Sequence, residues 1–176
     1  MFNFRKFLLI FLASCLVFFT AACGNSEKGS SSGDTIKIGL NLELSGQVAS
    51  YGSSAKEGAE LAVEEINAKG GIDGKKLELV TVDNKSDNSE STSAAIKLTT
   101  QEKVVAIIGP ATSGAVMAEK DVATENKTPV ITPSGTNERI TVNEDGSVNE
   151  YMFRTCFIDP FQGKIAATFA ADELKL

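Results

Sequence analysis

Apolar residues recur at every second position from Ile36 to Leu44, through Ile38, Leu40 and Leu42. That period of two predicts a strand with one buried face. Ser45-Gly46 ends it. From Ser54 to Lys69 the period lengthens. Ala55, Ala59, Ala62 and Ile66 fall on one helical face, with Glu57, Glu60, Glu64 and Glu65 mostly elsewhere. Gly70-Gly71 stops that helix and Asp73-Gly74 makes a turn. Leu77, Leu79, Val80 and Val82 predict a second strand, and Ser89 to Glu102 a second helix packing through Ala95 and Leu98. Val104 to Ile108 is a continuous apolar run, as expected of a strand buried on both faces. Gly109-Pro110 ends it. A third helix is expected from Ser113 to Asn126, and a short fourth strand from Thr128 to Thr132, stopped by Pro133. Residues 137–150 are polar and read as a loop with a short helix. Tyr151 to Phe157 predicts a fifth strand. Asp159-Pro160 opens a last helix, with proline near its first turn, that continues through Ile165, Ala166, Phe169 and Leu174.

Strands alternating with helices imply βαβ units, and so an α/β fold with a doubly wound parallel sheet. No internal repeat interrupts the pattern. In such sheets ligands bind at the carboxyl ends of the strands, near the point where strand order reverses. The residues just past the strands are Leu44-Ser45-Gly46 with downstream Tyr51, Asp83-Asn84, Gly109 to Gly114, and Thr132 to Thr136. Three of these segments are rich in hydroxyls and glycine. A helix amino end offers free backbone N–H groups and a partial positive charge. With a hydroxyl added, it suits a carboxylate or phosphate without any lysine. Ser113 stands where the third helix starts, and Ser134 to Thr136 stand before the next segment. Two such loops on adjacent strands can converge on one anionic group. Each residue alone is equally explained as structure: Ser113 as a helix cap, Thr136 as a turn hydroxyl, Tyr51 as rim packing, Asp83 as a turn acid.

The first 34 residues have a different character. Arg5 and Lys6 precede an apolar run from Phe7 to Phe19, followed by Thr20, Ala21, Ala22, Cys23 and Gly24. This reads as a secretory signal, with an apolar run shorter than the ~18 residues of a spanning helix. Cys23 after two alanines resembles a bacterial lipobox, in which the cysteine is diacylated and becomes the first mature residue; Thr20 stands where leucine is most usual. GNSEKGSSSGD, from Gly24 to Asp34, has no apolar residue to bury and reads as a flexible tether. The expected organisation is a signal peptide over 1–22, a lipid-anchored tether over 23–34 and a folded lobe over 35–176.

Charge and cysteine content narrow the function. Of 17 basic residues two leave with the signal, so 15 face 23 acidic ones and the mature net charge is −8. Nucleic acid, which needs a basic footprint, is not an expected partner. Cys15 lies in the signal and Cys23 is the lipid site, so Cys156 remains alone and is expected as a buried thiol. The absence of histidine excludes a Ser-His-Asp arrangement within this chain. Gly29 to Gly33 matches G-x-S-x-G, but in the tether and not at a strand-to-helix elbow. No Walker A loop, dinucleotide fingerprint or Cys/His metal cluster is present. No enzyme, cofactor or metal is expected.

IKIGLNLELSG, YG, KEGAELAVEEINAKGGIDGKKLELV, GPATSG, ITPSGTN, FRT and DPFQG resemble the substrate-binding proteins of branched-chain amino acid ABC transporters. These form the leucine-binding protein family, with the type 1 periplasmic-binding-protein fold, and the resemblance runs from Thr35 to the end. It implies two Rossmann-like lobes with ligand closed between them, of which this chain is an N-terminal fragment: the contiguous part of the first lobe, with the second lobe missing. It implies that Ser113 contacts the ligand's α-carboxylate, that Ser134 and Thr136 hold carboxylate and ammonium through backbone and hydroxyl groups, and that Gly135 supplies backbone. Tyr51 would be an aromatic at the site's edge, and the acid meeting the ammonium would come from the second lobe. Ser86 and Thr112 stand where some relatives carry a disulfide pair. The implied function is an extracytoplasmic lipoprotein that captures an amino acid, branched-chain by family, and delivers it to permease subunits. A lipid-tethered form suits the outer face of the cell membrane in a Gram-positive bacterium. The alternative is a ligand-sensing domain for amides or similar molecules; a lipid tether without a spanning helix favours transport. A hydrolase using Ser113 is disfavoured by the missing histidine.

Overall fold

The computed structural model describes residues 35–176; the expected signal peptide, Cys23, the tether and its G-x-S-x-G match lie outside the described residues. Among the described residues five strands and four helices follow in order: β1 Thr35–Leu42, α1 Ala49–Ala68, β2 Lys76–Asp83, α2 Asn88–Ile96, β3 Ala106–Ile108, α3 Ser113–Glu125, β4 Val130–Thr132, β5 Met152–Arg154 and α4 Asp159–Thr168. Single π turns, Lys97–Gln101 and Phe169–Glu173, extend α2 and α4, and a 3₁₀ turn covers Glu138–Ile140. All five strands are parallel, in the order β2-β1-β3-β4-β5. The α/β, doubly wound parallel sheet read from the alternation is the architecture observed.

Strand register determines which residues share a face. Gly39, Ile107, Val130 and Met152 are neighbours across β1, β3, β4 and β5. They meet Leu98, Val116, Ala123 and Ile140 in the main core. Each large apolar side chain buried there contributes about 1.5–3 kcal/mol. Leu40, Ile108, Ile131 and Phe153 align on the opposite face. Helix α1 packs against β1 and β2, and Leu40 is fully buried. Further along the same face Ile131 is 37% and Phe153 48% exposed.

This one-sided cover corrects several expectations. The run Val104 to Ile108 is not a strand buried on both faces. β3 starts at Ala106, Val104 turns into the core, and Val105 is 55% exposed. An apolar run shows that each residue would gain from burial, not that a layer exists on each side. The apolar positions of α4 and its π turn, Phe161, Ile165 and Phe169, are likewise exposed. On α1, Ala62 is exposed and Val63 half-buried instead. β1 stops at Leu42, where Leu44 N–H donates back to the Leu42 carbonyl at 3.1 Å. The fourth and fifth strands are also shorter than expected, which leaves Cys156 half-buried in a bend past β5, not a buried strand thiol. Among the described residues no helix is long and apolar enough to cross a membrane.

Helix α1 begins at Ala49, ahead of the expected Ser54, and this places Tyr51 in its first turn. Gly52 makes the early start possible. A Cβ there would stand 2.1 Å from the Glu43 carbonyl oxygen, so the helix docks backbone to backbone on the end of β1. Alanine favours an isolated helix over glycine by about 1 kcal/mol. Here Gly52→Ala is expected to destabilise instead, by about 1–3 kcal/mol as an overpacking change. Urea unfolding of the two chains measures the sign. An unchanged or raised midpoint would mean that α1 withdraws from β1 without cost.

Candidate ligand-binding site

Strand order reverses between β1 and β3, because β2 lies on one side of β1 and β4 and β5 on the other side of β3. Glu43, the residue after β1, fills that point. Its side chain is fully buried. One carboxylate oxygen accepts from the Ala111 N–H at 2.9 Å; the other accepts from the Thr112 N–H at 3.0 Å and its hydroxyl at 2.7 Å. The backbone donors just ahead of α3 are thus held by the chain's own carboxylate. Thr112 is the N-cap, and with its hydroxyl on Glu43 it makes no capping bond to the helix. Ser113, the first helical residue, is therefore not the cap of α3. Sequence reasoning missed Glu43; its signal was an acid at an apolar strand's end, in LNLELSG.

Ser113 instead joins two loops. Its Oγ accepts from the Asn137 N–H at 3.3 Å, which leaves the hydroxyl hydrogen to donate elsewhere. The Ser134 hydroxyl donates to the Ala111 carbonyl at 2.7 Å. The buried Thr132 hydroxyl donates to the Pro110 carbonyl at 2.6 Å and accepts from the Gly135 N–H at 2.9 Å. The segments after β3 and β4 are stitched together, as their hydroxyl content suggested. The Thr136 carbonyl accepts from the Asp159 N–H at 3.2 Å. Gly135, expected to supply backbone to a ligand, already has bonds within the chain. It is buried, its N–H is on Thr132, and its carbonyl accepts from Arg154 Nη1 at 2.9 Å and from the Cys156 thiol at 3.3 Å. A Cβ there would meet Ile140 at 2.7 Å, so this glycine serves loop packing.

Tyr51 is 61% exposed. With Ser50, Ser54, Ala55, Pro133 and Ser134 it lines an open concavity of about 470 Å³. The structure thus brings Tyr51 and Ser134 to one wall; Ser113, Gly135 and Thr136 do not line it. That wall carries no charged side chain. Hydroxyls and nearby N–H groups suit an anionic group, and Tyr51 an apolar one.

The remaining acids near the site are structural. Asp83 accepts from the N–H groups of Leu44, Ser45 and Lys85 at 3.0, 3.1 and 2.8 Å, and from the Ser45 hydroxyl at 2.6 Å. Burial pushes its carboxyl up, but these bonds outweigh it and hold it below the usual range. Asp83 is the turn acid of its plainer reading. Ser86 donates to the Ser45 carbonyl at 2.7 Å while Thr112 serves Glu43, so the pair of positions implied for a disulfide makes separate hydrogen bonds. In the core next to β1, the Asn41 amide donates to Glu119 at 2.7 Å and to the Ser91 hydroxyl at 3.1 Å, and accepts from the Asn84 amide at 3.2 Å. Glu119 is fully buried with one carboxyl oxygen unpartnered. Burial pushes its carboxyl well above the usual range; the Asn41 bond opposes this and the charge on Glu43 adds to it. No group of three or more His, Cys, Asp and Glu placed to hold a metal occurs among the described residues.

The sequence pattern described as "Periplasmic binding protein" matches residues 35–175. The Leu/Ile/Val-binding protein BraC3 of Rhizobium johnstonii is 38% identical over 140 residues, which are 80% of this chain and 37% of that protein. Leu/Ile/Val-binding protein homolog 2 of Brucella abortus is 34% identical over 153 residues, 87% of this chain and 40% of that one. Among solved structures, the branched-chain amino acid transporter substrate-binding protein LivJ of Streptococcus pneumoniae, in complex with isoleucine, superposes with a TM-score of 0.74 at 47% identity, over 81% of this chain and 39% of that one. The leucine-binding protein LivK of Thermotoga maritima gives 0.69 at 37% identity, over 80% and 38%. The chain spans 37% to 40% of the length of these curated relatives. With the match running from the first residue of β1 to past α4, the chain belongs to the periplasmic binding protein family and has the fold of a type 1 periplasmic-binding-protein lobe.

Proposed function

We propose that this chain is the N-terminal lobe of an extracytoplasmic solute-binding protein that captures a branched-chain amino acid for uptake by an ABC transporter. One observation carries the reading. The Ser113 oxygen is satisfied by the Asn137 N–H, so its hydrogen is free for a ligand carboxylate at the amino end of α3. The Thr136 hydroxyl, next in the chain to Asn137, would add a donor beside it. Tyr51 forms the rim that an aliphatic side chain would touch. The relatives named for leucine, isoleucine and valine, and LivJ in complex with isoleucine, support this ligand class.

Capture needs no covalent step. The amino acid docks on this lobe, a second lobe closes over it and supplies an acid for the ammonium, and the closed complex docks on permease subunits. A lipid on Cys23 would hold the protein at the outer face of a Gram-positive cell membrane. The lobe alone would bind weakly, since half the contacts and all of the closure are missing. Calorimetry of the full-length mature protein against leucine, isoleucine, valine, other amino acids and short amides is the direct test. Heat with an aliphatic amino acid is expected, and Ser113→Ala should weaken that binding by about tenfold, the loss of one charge-assisted hydrogen bond. No heat with any aliphatic amino acid would sink the branched-chain reading, and heat with amides alone would move the protein to the amide-sensing class. Unchanged affinity in Ser113→Ala would remove that residue from the site.

A further inference from the structure

The loop after β4 carries the proposed donors but has no helix or strand of its own between Pro133 and Asn137. Arg154, the last residue of β5, reaches back beneath it. Its Nη1 donates to the Gly135 carbonyl at 2.9 Å. Its Nη2 donates to the Asn137 carbonyl at 2.8 Å and to the Thr141 hydroxyl at 3.0 Å. Among the described residues no carboxylate forms an ion pair with this guanidinium; these bonds go to neutral oxygens of one segment, residues 135–141. A guanidinium suits the task because it is always charged and presents its donors in a rigid planar fork. A lysine ammonium is a single point and cannot reproduce that fork.

Asn137 is therefore held on both sides. Its carbonyl rests on Arg154 and its N–H on the Ser113 oxygen. We propose that Arg154 is the positioning residue of the site: it fixes residues 135–141, aims the Asn137 N–H at Ser113, and so keeps the Ser113 hydroxyl hydrogen directed at the ligand. The inference rests on the amino-acid-binding reading of the same site. Arg154 acts through Asn137 and Ser113, not on the ligand itself.

The test compares full-length wild type, Arg154→Met, Arg154→Lys, Ser113→Ala and the Ser113→Ala/Arg154→Met double variant. Two readouts are taken: isoleucine affinity by calorimetry, and amide exchange of residues 135–141 without ligand. Arg154→Met is expected to weaken isoleucine binding by about tenfold and to speed exchange across the segment, with Arg154→Lys recovering part of both. In the Ser113→Ala background the same Arg154→Met change should cost less than about twofold, because the group it positions is gone. Wild-type affinity in Arg154→Met, unchanged exchange, or an equal penalty in both backgrounds would each overturn the proposal. If wild type binds no aliphatic amino acid, the ligand reading fails and the exchange measurement alone decides the positioning role. If Arg154→Met does not fold, Arg154→Lys takes its place in both arms, with the same direction expected and wild-type behaviour overturning the proposal.

Discussion

Replacing Glu43 by alanine is expected to remove about 3–5 kcal/mol of stability, a large share of the roughly 5–15 kcal/mol of a typical domain. The carboxylate accepts three hydrogen bonds in a fully buried place, from Ala111 N–H and from the N–H and hydroxyl of Thr112. Alanine would leave those donors without an acceptor, and each unsatisfied buried donor costs about 1–3 kcal/mol. It would also leave a cavity between β1 and the start of α3. Glu43→Gln is the informative companion. It keeps one acceptor oxygen but turns an NH₂ toward a group that is itself a donor, so its stability should fall between alanine and wild type. Urea unfolding of the three chains gives the ranking. Wild-type stability in the alanine variant would mean that the loop rearranges and that the acid is not what ties β1 to α3.

Stability is expected to fall as pH rises above the ordinary carboxylate range, and Glu119 is the reason. Burial, first among the causes, holds its folded-state carboxyl well above the usual carboxylate range. The sign follows from proton counting. Between the unfolded and folded pKa values the folded state binds the proton and the unfolded state does not. Glu119 therefore contributes stability that is fully present below its unfolded pKa and is lost as pH rises through its folded pKa. Within that window the slope for one proton is about 1.4 kcal/mol per pH unit. Asp83 runs the other way: its carboxyl is lowered in the fold, so its contribution is present above about pH 3.9 and lost as pH falls below that. The two contributions oppose each other, one lost on the acid side of the ordinary carboxylate range and the other on its alkaline side. Glu119→Gln keeps the Asn41 partner and removes the titration. It should match wild type near pH 5 and exceed it at pH 8, as measured by thermal unfolding across pH. A variant that keeps the full alkaline slope would show that another group is responsible.

The alternation of β1 and the helical spacing of residues 55–66 were enough to read the layer order, because each records a local period that packing enforces. The loops after β3 and β4 were legible as a pair through their glycines and hydroxyls, and Ser113 and Ser134 do lie on linked segments. Other features left no such mark. Glu119 and Arg154 are charged residues whose neighbours in the chain do not tell a solvated charge from one bonded to groups elsewhere in the fold, and the acid at the end of the apolar β1 marked Glu43 without naming its partners. The separation of 68 positions between Glu43 and Ala111 is bridged only by the fold. The bare face at Ile131 and Phe153 was equally hidden, since apolar residues are written the same way whether or not a second layer covers them. Nor does the sequence show that the carbonyl and N–H of Gly135, implied by the resemblance as a backbone contact, are bonded within its own loop and to Arg154.

The neighbours Tyr51 and Gly52 divide two duties between them. Gly52 carries the docking of α1 on β1 through its lack of a side chain, whereas Tyr51 projects from the same turn into the open concavity with few neighbours to satisfy. In the proposed binding role of Tyr51, selectivity at the rim would thereby be uncoupled from the integrity of the scaffold. The aromatic can be exchanged for a larger, smaller or polar group while the helix stays where the glycine places it. Such a separation gives ligand preference room to drift, by evolution or by design, on an unaltered frame.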